Sequence, residues 1–140
     1  MTATDPFDTT VHKTNAWLGD IMRRMGWDDR HRAWAVLRAV LHVLRDRLSV
    51  SEAAALGAQL PLLVRGAYYE GWHPAGKPER IRKKEEFLER VTAELRRYQD
   101  IDVEEATNAV LDVIGEHISP GEAGHLAQVL PREISELWAG

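Results

Sequence analysis

Apolar residues along this chain recur at three- and four-residue spacing, the period of a helix that buries one face. Trp17, Leu18, Ile21, Met22 and Met25 form the first stripe; it ends at Gly26 and predicts a helix over about 10–25, capped by Asp8 or Thr9. Ala33, Leu37, Val40, Leu41, Leu44 and Leu48 form the clearest stripe. Asp28 and Asp29 offer N-cap oxygens before it, and Arg38, Arg45 and Arg47 fall on its other face. Ser49 with Glu52 three residues on is a capping box, which opens a short helix to about Gln59. Pro61 stops that helix and starts another over about 61–69. Two glycines and two prolines within 71–78 mark a linker. Beyond it, Phe87, Leu88, Val91 and Leu95 predict a fifth helix, and Asp102 with Glu105 caps a sixth through Ala106, Ala109, Val110, Val113 and Ile114. Ser119-Pro120-Gly121-Glu122 opens a seventh, to about Val129, and Pro131 an eighth over about 131–138. No segment alternates with period 2, so the pattern predicts an all-α fold of eight helices.

The last four of these helices read as a second copy of the first four. At an offset of 70 positions Leu60-Pro61 falls on Leu130-Pro131, Val40-Leu41 on Val110-Leu111, Ser49 on Ser119, Glu52-Ala53 on Glu122-Ala123 and Leu56 on Leu126. Self-similarity of this kind reports a structural unit. It predicts a compact bundle over residues 1–140 made of two tandem four-helix repeats related by pseudo-twofold symmetry. Repeat one covers about 10–70, the linker 71–78 and repeat two about 79–140. Units of about 70 residues are marginal alone, which favours one shared core.

Within the first copy, Ala58-Gln59-Leu60-Pro61 is followed by Arg65-Gly66-Ala67-Tyr68-Tyr69-Glu70-Gly71-Trp72, after a capped Ser-x-x-Glu-Ala helix. On these residues the chain, from about Trp17 to Trp138, resembles the bacterial domain of unknown function 2267 family. The resemblance implies a duplicated all-helical domain in small bacterial cytoplasmic proteins, and it brings no activity and no site residues with it.

Charge alters the picture more than composition does. The net charge of −4 conceals an asymmetry: residues 1–97 carry 17 Lys/Arg against 13 Asp/Glu, and residues 98–140 one against nine. Such a contrast suits self-association or docking to a basic partner, and equally a solvated acidic face. Nucleic-acid binding through the acidic half is disfavoured, because phosphates need clustered cations. The absence of cysteine excludes disulfides, zinc-thiolate sites and thiol nucleophiles. Residues 1–10 have neither a basic nor an apolar signal region, and no apolar run approaches the ~18–20 residues of a membrane span. A cytoplasmic protein off the membrane is expected.

Positions where the copies differ are candidates for function. Arg65, Tyr68, Tyr69, Glu70, Trp72 and His73 have no aromatic-polar counterpart of the same make-up in the second copy. They suit a small-molecule or protein-binding site, with rings as walls and Arg65, Glu70 and His73 as polar handles. The competing reading has the rings fixing the linker to the bundle and Arg65 pairing with Glu70. Glu122-x-x-His125 has the spacing of half a dimetal carboxylate site, but lacks a second half, and Glu122 is already explained by capping. His42 and His117 read as surface or partly buried histidines. Lys77, Arg80, Arg82, Lys83 and Lys84 form a basic cluster at the start of the fifth helix, a possible phosphate or nucleic-acid contact. Interleaved glutamates, such as Glu86 four residues before Arg90, make an ordinary exposed face the better reading. No phosphate-binding loop, dinucleotide fingerprint or nucleophile elbow is present. The sequence therefore favours a non-enzymatic binding or interaction module, without a cofactor or metal. A metal-dependent or other enzyme using Glu122 and His125 is the alternative, and a weak nucleic-acid binder using Lys77–Lys84 the third.

Overall fold

A computed structural model describes residues 5–139, which form α1 (Pro6–Met25), α2 (Arg30–Arg47), α3 (Val50–Gly57), α4 (Leu62–Tyr69), α5 (Lys84–Glu94), α6 (Val103–His117), α7 (Pro120–Val129) and α8 (Arg132–Ala139). No strand occurs among the described residues. None of these helices is long and apolar enough to cross a membrane.

The helix ends show what the apolar stripes could not. α1 starts at Pro6 rather than near Thr10, because Asp5 accepts from the Phe7 N–H at 2.9 Å and proline occupies the first turn. Asp8 and Thr9 therefore lie inside the helix. It ends as predicted at Gly26, whose φ of 68° is strained for any residue with a β-carbon. Asp29 caps α2, accepting from His31 and Arg32. At α3 the capping box is complete: the Glu52 N–H donates to Ser49 Oγ and the Ser49 N–H to Glu52 Oε1. At α7 it is not. The Glu122 N–H donates to Ser119 Oγ, but the Ser119 N–H donates to Gln59 Oε1 at 2.9 Å, so a side chain from just beyond α3 fills the place predicted for Glu122.

α2 packs against α1, α4, α5 and α6, while α6 packs against α1, α2, α5 and α8. One apolar cluster draws on all eight helices, among them Ile21, Leu41, Leu56, Tyr68, Phe87 and Ile114. Arg45, placed by periodicity on the outer face of α2, is buried instead. Its Nη1 donates to Tyr68 O at 2.8 Å and Glu70 O at 2.7 Å, and its Nε to Asp46 at 2.9 Å. The segment between α4 and α5 is a docked strap. Ile81 is fully buried, the Glu79 N–H donates to Asp46 O at 2.8 Å, and Arg47 Nε donates to Ile81 O at 3.0 Å. α5 consequently begins at Lys84, and most of the basic cluster precedes it.

Candidate functional site

The predicted cluster at the end of α4 divides into residues that build the fold and residues that reach the surface. Tyr68 is fully buried and its hydroxyl donates to Ala53 O at 2.7 Å, which ties α4 to α3. Burial pushes this phenol well above its ordinary range, so it stays a donor. Tyr69 packs edge-on against Tyr68 at 4.9 Å and lies 5.3 Å from Trp72. A β-carbon on Gly57 would collide with the Tyr69 hydroxyl, so that approach requires glycine. Arg65 closes the end of α3: its Nε donates to Gly57 O at 2.8 Å and its Nη2 to Leu60 O at 3.0 Å. Glu70 accepts from Arg38 Nε at 2.9 Å, so Arg65 and Glu70 are not partners of one another. Trp72 is half-buried with its Nε1 enclosed and unbonded, and His73 is exposed.

Glu70 also borders a surface cleft. Successive turns of α2 present His31, Trp34 and Arg38 to this cleft, of about 860 Å³. Its opposite wall is the end of α5 and the following turn, with Glu94, Arg96, Arg97 and Tyr98. Both carboxylates in the lining are occupied: Glu70 by Arg38, and Glu94 by the buried His42, whose Nδ1 lies 2.8 Å from Oε1 and whose Nε2 donates to Ala67 O at 2.7 Å. The Arg32 guanidinium lies 5.3 Å from the Trp27 ring and 5.5 Å from the Tyr98 ring, and pairs with Asp100, which fixes the turn that carries Arg96 and Arg97. That bond holds the Asp100 carboxyl below its ordinary range. Arg96 and Arg97 themselves have no ion-pair or hydrogen-bond partner among the described residues.

All of this lining falls within residues 14–137, over which the chain matches the family model described as "Uncharacterized conserved protein (DUF2267)". The chain belongs to the DUF2267 family. A comparison with curated proteins finds no match.

The other candidate residues of this DUF2267 protein lie elsewhere. Glu122 is on the first turn of α7, with Oε2 enclosed and unbonded, and burial raises its carboxyl above the ordinary range. Among the described residues no three His, Asp or Glu side chains gather as a metal would require. His117 stacks on Trp17 at 4.9 Å and bonds Asp20 at 2.7 Å. In the basic stretch, Lys77 is buried against Glu79 at 2.7 Å, Arg90 pairs with the same Glu79, and Lys84 pairs with Glu104 at 3.3 Å. Glu86 does not reach Arg90; it accepts from the backbone N–H groups of Arg82 and Lys83.

Glu79 gives this network a pH signature. Hydrogen bonds from Lys77 and then Arg90 hold its carboxyl below the ordinary glutamate range. A lowered folded value adds stability that is complete above the unfolded value and is lost as pH falls through the folded one. Thermal melts should therefore show Glu79→Gln less stable than the wild type at neutral pH, with the two converging as pH falls below the ordinary glutamate value of about 4.3. Parallel curves would show that the pairing contributes nothing to folding.

Sequence reasoning missed Trp34, Arg96, Arg97 and Tyr98. The 70-position offset held the signal: on it Arg96-Arg97 falls on Gly26-Trp27 and Trp34 on Glu104, differences as marked as those that singled out the end of α4.

Proposed function

We propose that this DUF2267 protein is a non-enzymatic binding module whose site is the cleft between α2 and α5, and that its ligand presents an anionic group. The observation that carries the reading is the unpartnered pair Arg96 and Arg97, which lines the same opening as His31, Arg38, Trp34 and Tyr98. Guanidinium groups beside aromatic faces suit a carboxylate or phosphate attached to an apolar body. The two carboxylates of the lining are already paired, so they do not cancel that preference. In this reading Glu70, among the residues of the α4 cluster, rims the site through Arg38. Arg65, Tyr68, Tyr69 and Trp72 hold the end of α4 in place beneath it, and His73 lies on the exposed turn beyond.

The cleft would then lie between two copies of a four-helix unit, with α2 from the first and α5 from the second. Matching boundaries support the duplication: α2 and α6 end at Arg47 and His117, α3 and α7 begin at Val50 and Pro120, and α4 and α8 span Leu62–Tyr69 and Arg132–Ala139. A paired exchange supports it further. Where one half sets Arg45 beneath Tyr68, the equivalent positions of the other are Gly115 and Trp138, and a β-carbon on Gly115 would come within 2.7 Å of Trp138 Nε1. The second half thus sets its aromatic ring against a glycine where the first half has an arginine.

Titration of labelled protein with sodium phosphate and with citrate tests the site, read at the Trp34 indole resonance. Saturable shifts are expected with at least one anion, weakened about tenfold by Arg96→Ala or Arg97→Ala with no change in melting temperature, as for loss of one charge-assisted hydrogen bond. Silence with both anions, or variants that bind like the wild type, would refute the reading.

A further inference from the structure

A second groove joins the cleft. It lies between α1, the start of α2 and the start of α4, has a volume of about 380 Å³, and shares His31 and Trp34 with the cleft, so that Trp34 stands as the ridge between the two. Val11, Leu18 and Leu63 form its apolar walls. The Leu63 N–H donates to Thr10 Oγ1 at 2.9 Å, which fixes the two helices that flank it. Around it the surface is unusually apolar: Phe7 is 78% exposed, Leu62 60%, Val11 51% and Leu63 48%. Thr14, only 4% exposed, lines the groove with its hydroxyl enclosed and unbonded. No carboxylate lines the groove, and Arg30 and the His31 imidazole are its basic side chains.

We propose that groove and cleft together bind one short amphipathic segment of a partner protein, its apolar side chains against Val11, Leu63 and Trp34 and its acidic residues at Arg96 and Arg97. This rests on the anion-binding reading of the cleft and extends it to a partner of stated chemistry. Charge complementarity selects an acidic partner, since both depressions are rimmed by cations. A second copy of the chain fits less well. Among the described residues the large exposed apolar side chains all lie in the basic part of the chain, so its acidic half brings no apolar face to the groove. Pairing like with like would set cation against cation.

Fluorescence anisotropy with labelled synthetic peptides tests this. One kind carries Leu and Phe at helical spacing with a run of glutamates at either end, a second has lysines in place of the glutamates, and a third is the glutamate run alone. The acidic amphipathic peptide should bind, in one of its two orders, and bind at least tenfold more tightly than the others. Val11→Asp or Leu63→Asp should remove the part of the affinity that depends on Leu and Phe, and the double change Arg96→Glu, Arg97→Glu the part that depends on glutamate and falls with salt. These side chains are exposed, and unchanged melting curves would show that the variants fold. If the glutamate run binds as tightly as the full peptide and the groove variants have no effect, the extension fails while the anion site stands. If binding needs the groove and ignores Arg96 and Arg97, both readings fail in their charged part. No binding by either acidic order up to about 1 mM overturns the proposal. So does sedimentation of the protein alone as a dimer that Leu63→Asp dissolves, since that assigns the groove to a second copy.

Discussion

Tyr68→Ala is expected to cost about 4 kcal/mol of stability, the middle of the range for removing a buried aromatic side chain. The ring has no contact with solvent, belongs to the main apolar cluster, and carries the hydroxyl that ties α4 to α3 at Ala53 O. Truncation opens a cavity and leaves that carbonyl without its partner, so both contributions act in one direction. Tyr68→Phe separates them. It keeps the packing and loses the hydrogen bond, and should cost about 1 kcal/mol. Chemical denaturation followed by circular dichroism measures both, and a loss below about 1 kcal/mol for the alanine variant would show that the core closes over the gap.

Arg45→Met should cost about 3 kcal/mol, although methionine is nearly as large and carries no charge to bury. Replacing a whole buried ion pair with apolar groups is often harmless; removing one partner is not. Here the groups left behind are Tyr68 O and Glu70 O at the end of α4, where no further helical turn satisfies them. The same variant tests the site. With the end of α4 loosened, Glu70 no longer holds Arg38, and the phosphate or citrate response at Trp34 should weaken along with stability. A methionine variant as stable as the wild type would mean that water replaces both bonds.

The helices were legible because their apolar residues are local and periodic, and the stripe from Ala33 to Leu48 needs no tertiary information. Caps were legible only where the partner is near in sequence. Ser49 and Glu52 bond as expected, whereas Ser119 takes its second bond from Gln59, which spacing within the segment cannot announce. Arg45 was misplaced for a similar reason: periodicity gives its direction from α2, but not the end of α4 that covers it. Of the proposed site, the sequence offered Glu70 and named Arg38 as a residue of the outer face. Arg96 and Arg97 stood outside because a basic pair after a helix looks like any solvated turn. Their significance lies in what they face and in the lack of a partner, and both are properties of the folded chain.

The strap between α4 and α5 bears on how the cleft would receive a ligand. Arg45 grips the end of α4, Asp46 lies beside it, and Lys77 comes within 4.0 Å of Asp46 and 2.7 Å of Glu79, which reaches Arg90 on α5. The walls that carry Glu70 and Glu94 are thus cross-braced behind the opening by a line of alternating charges. The gap between them has a set gauge, like the jaws of a spanner, so a ligand that fits spends little of its binding energy on ordering the protein.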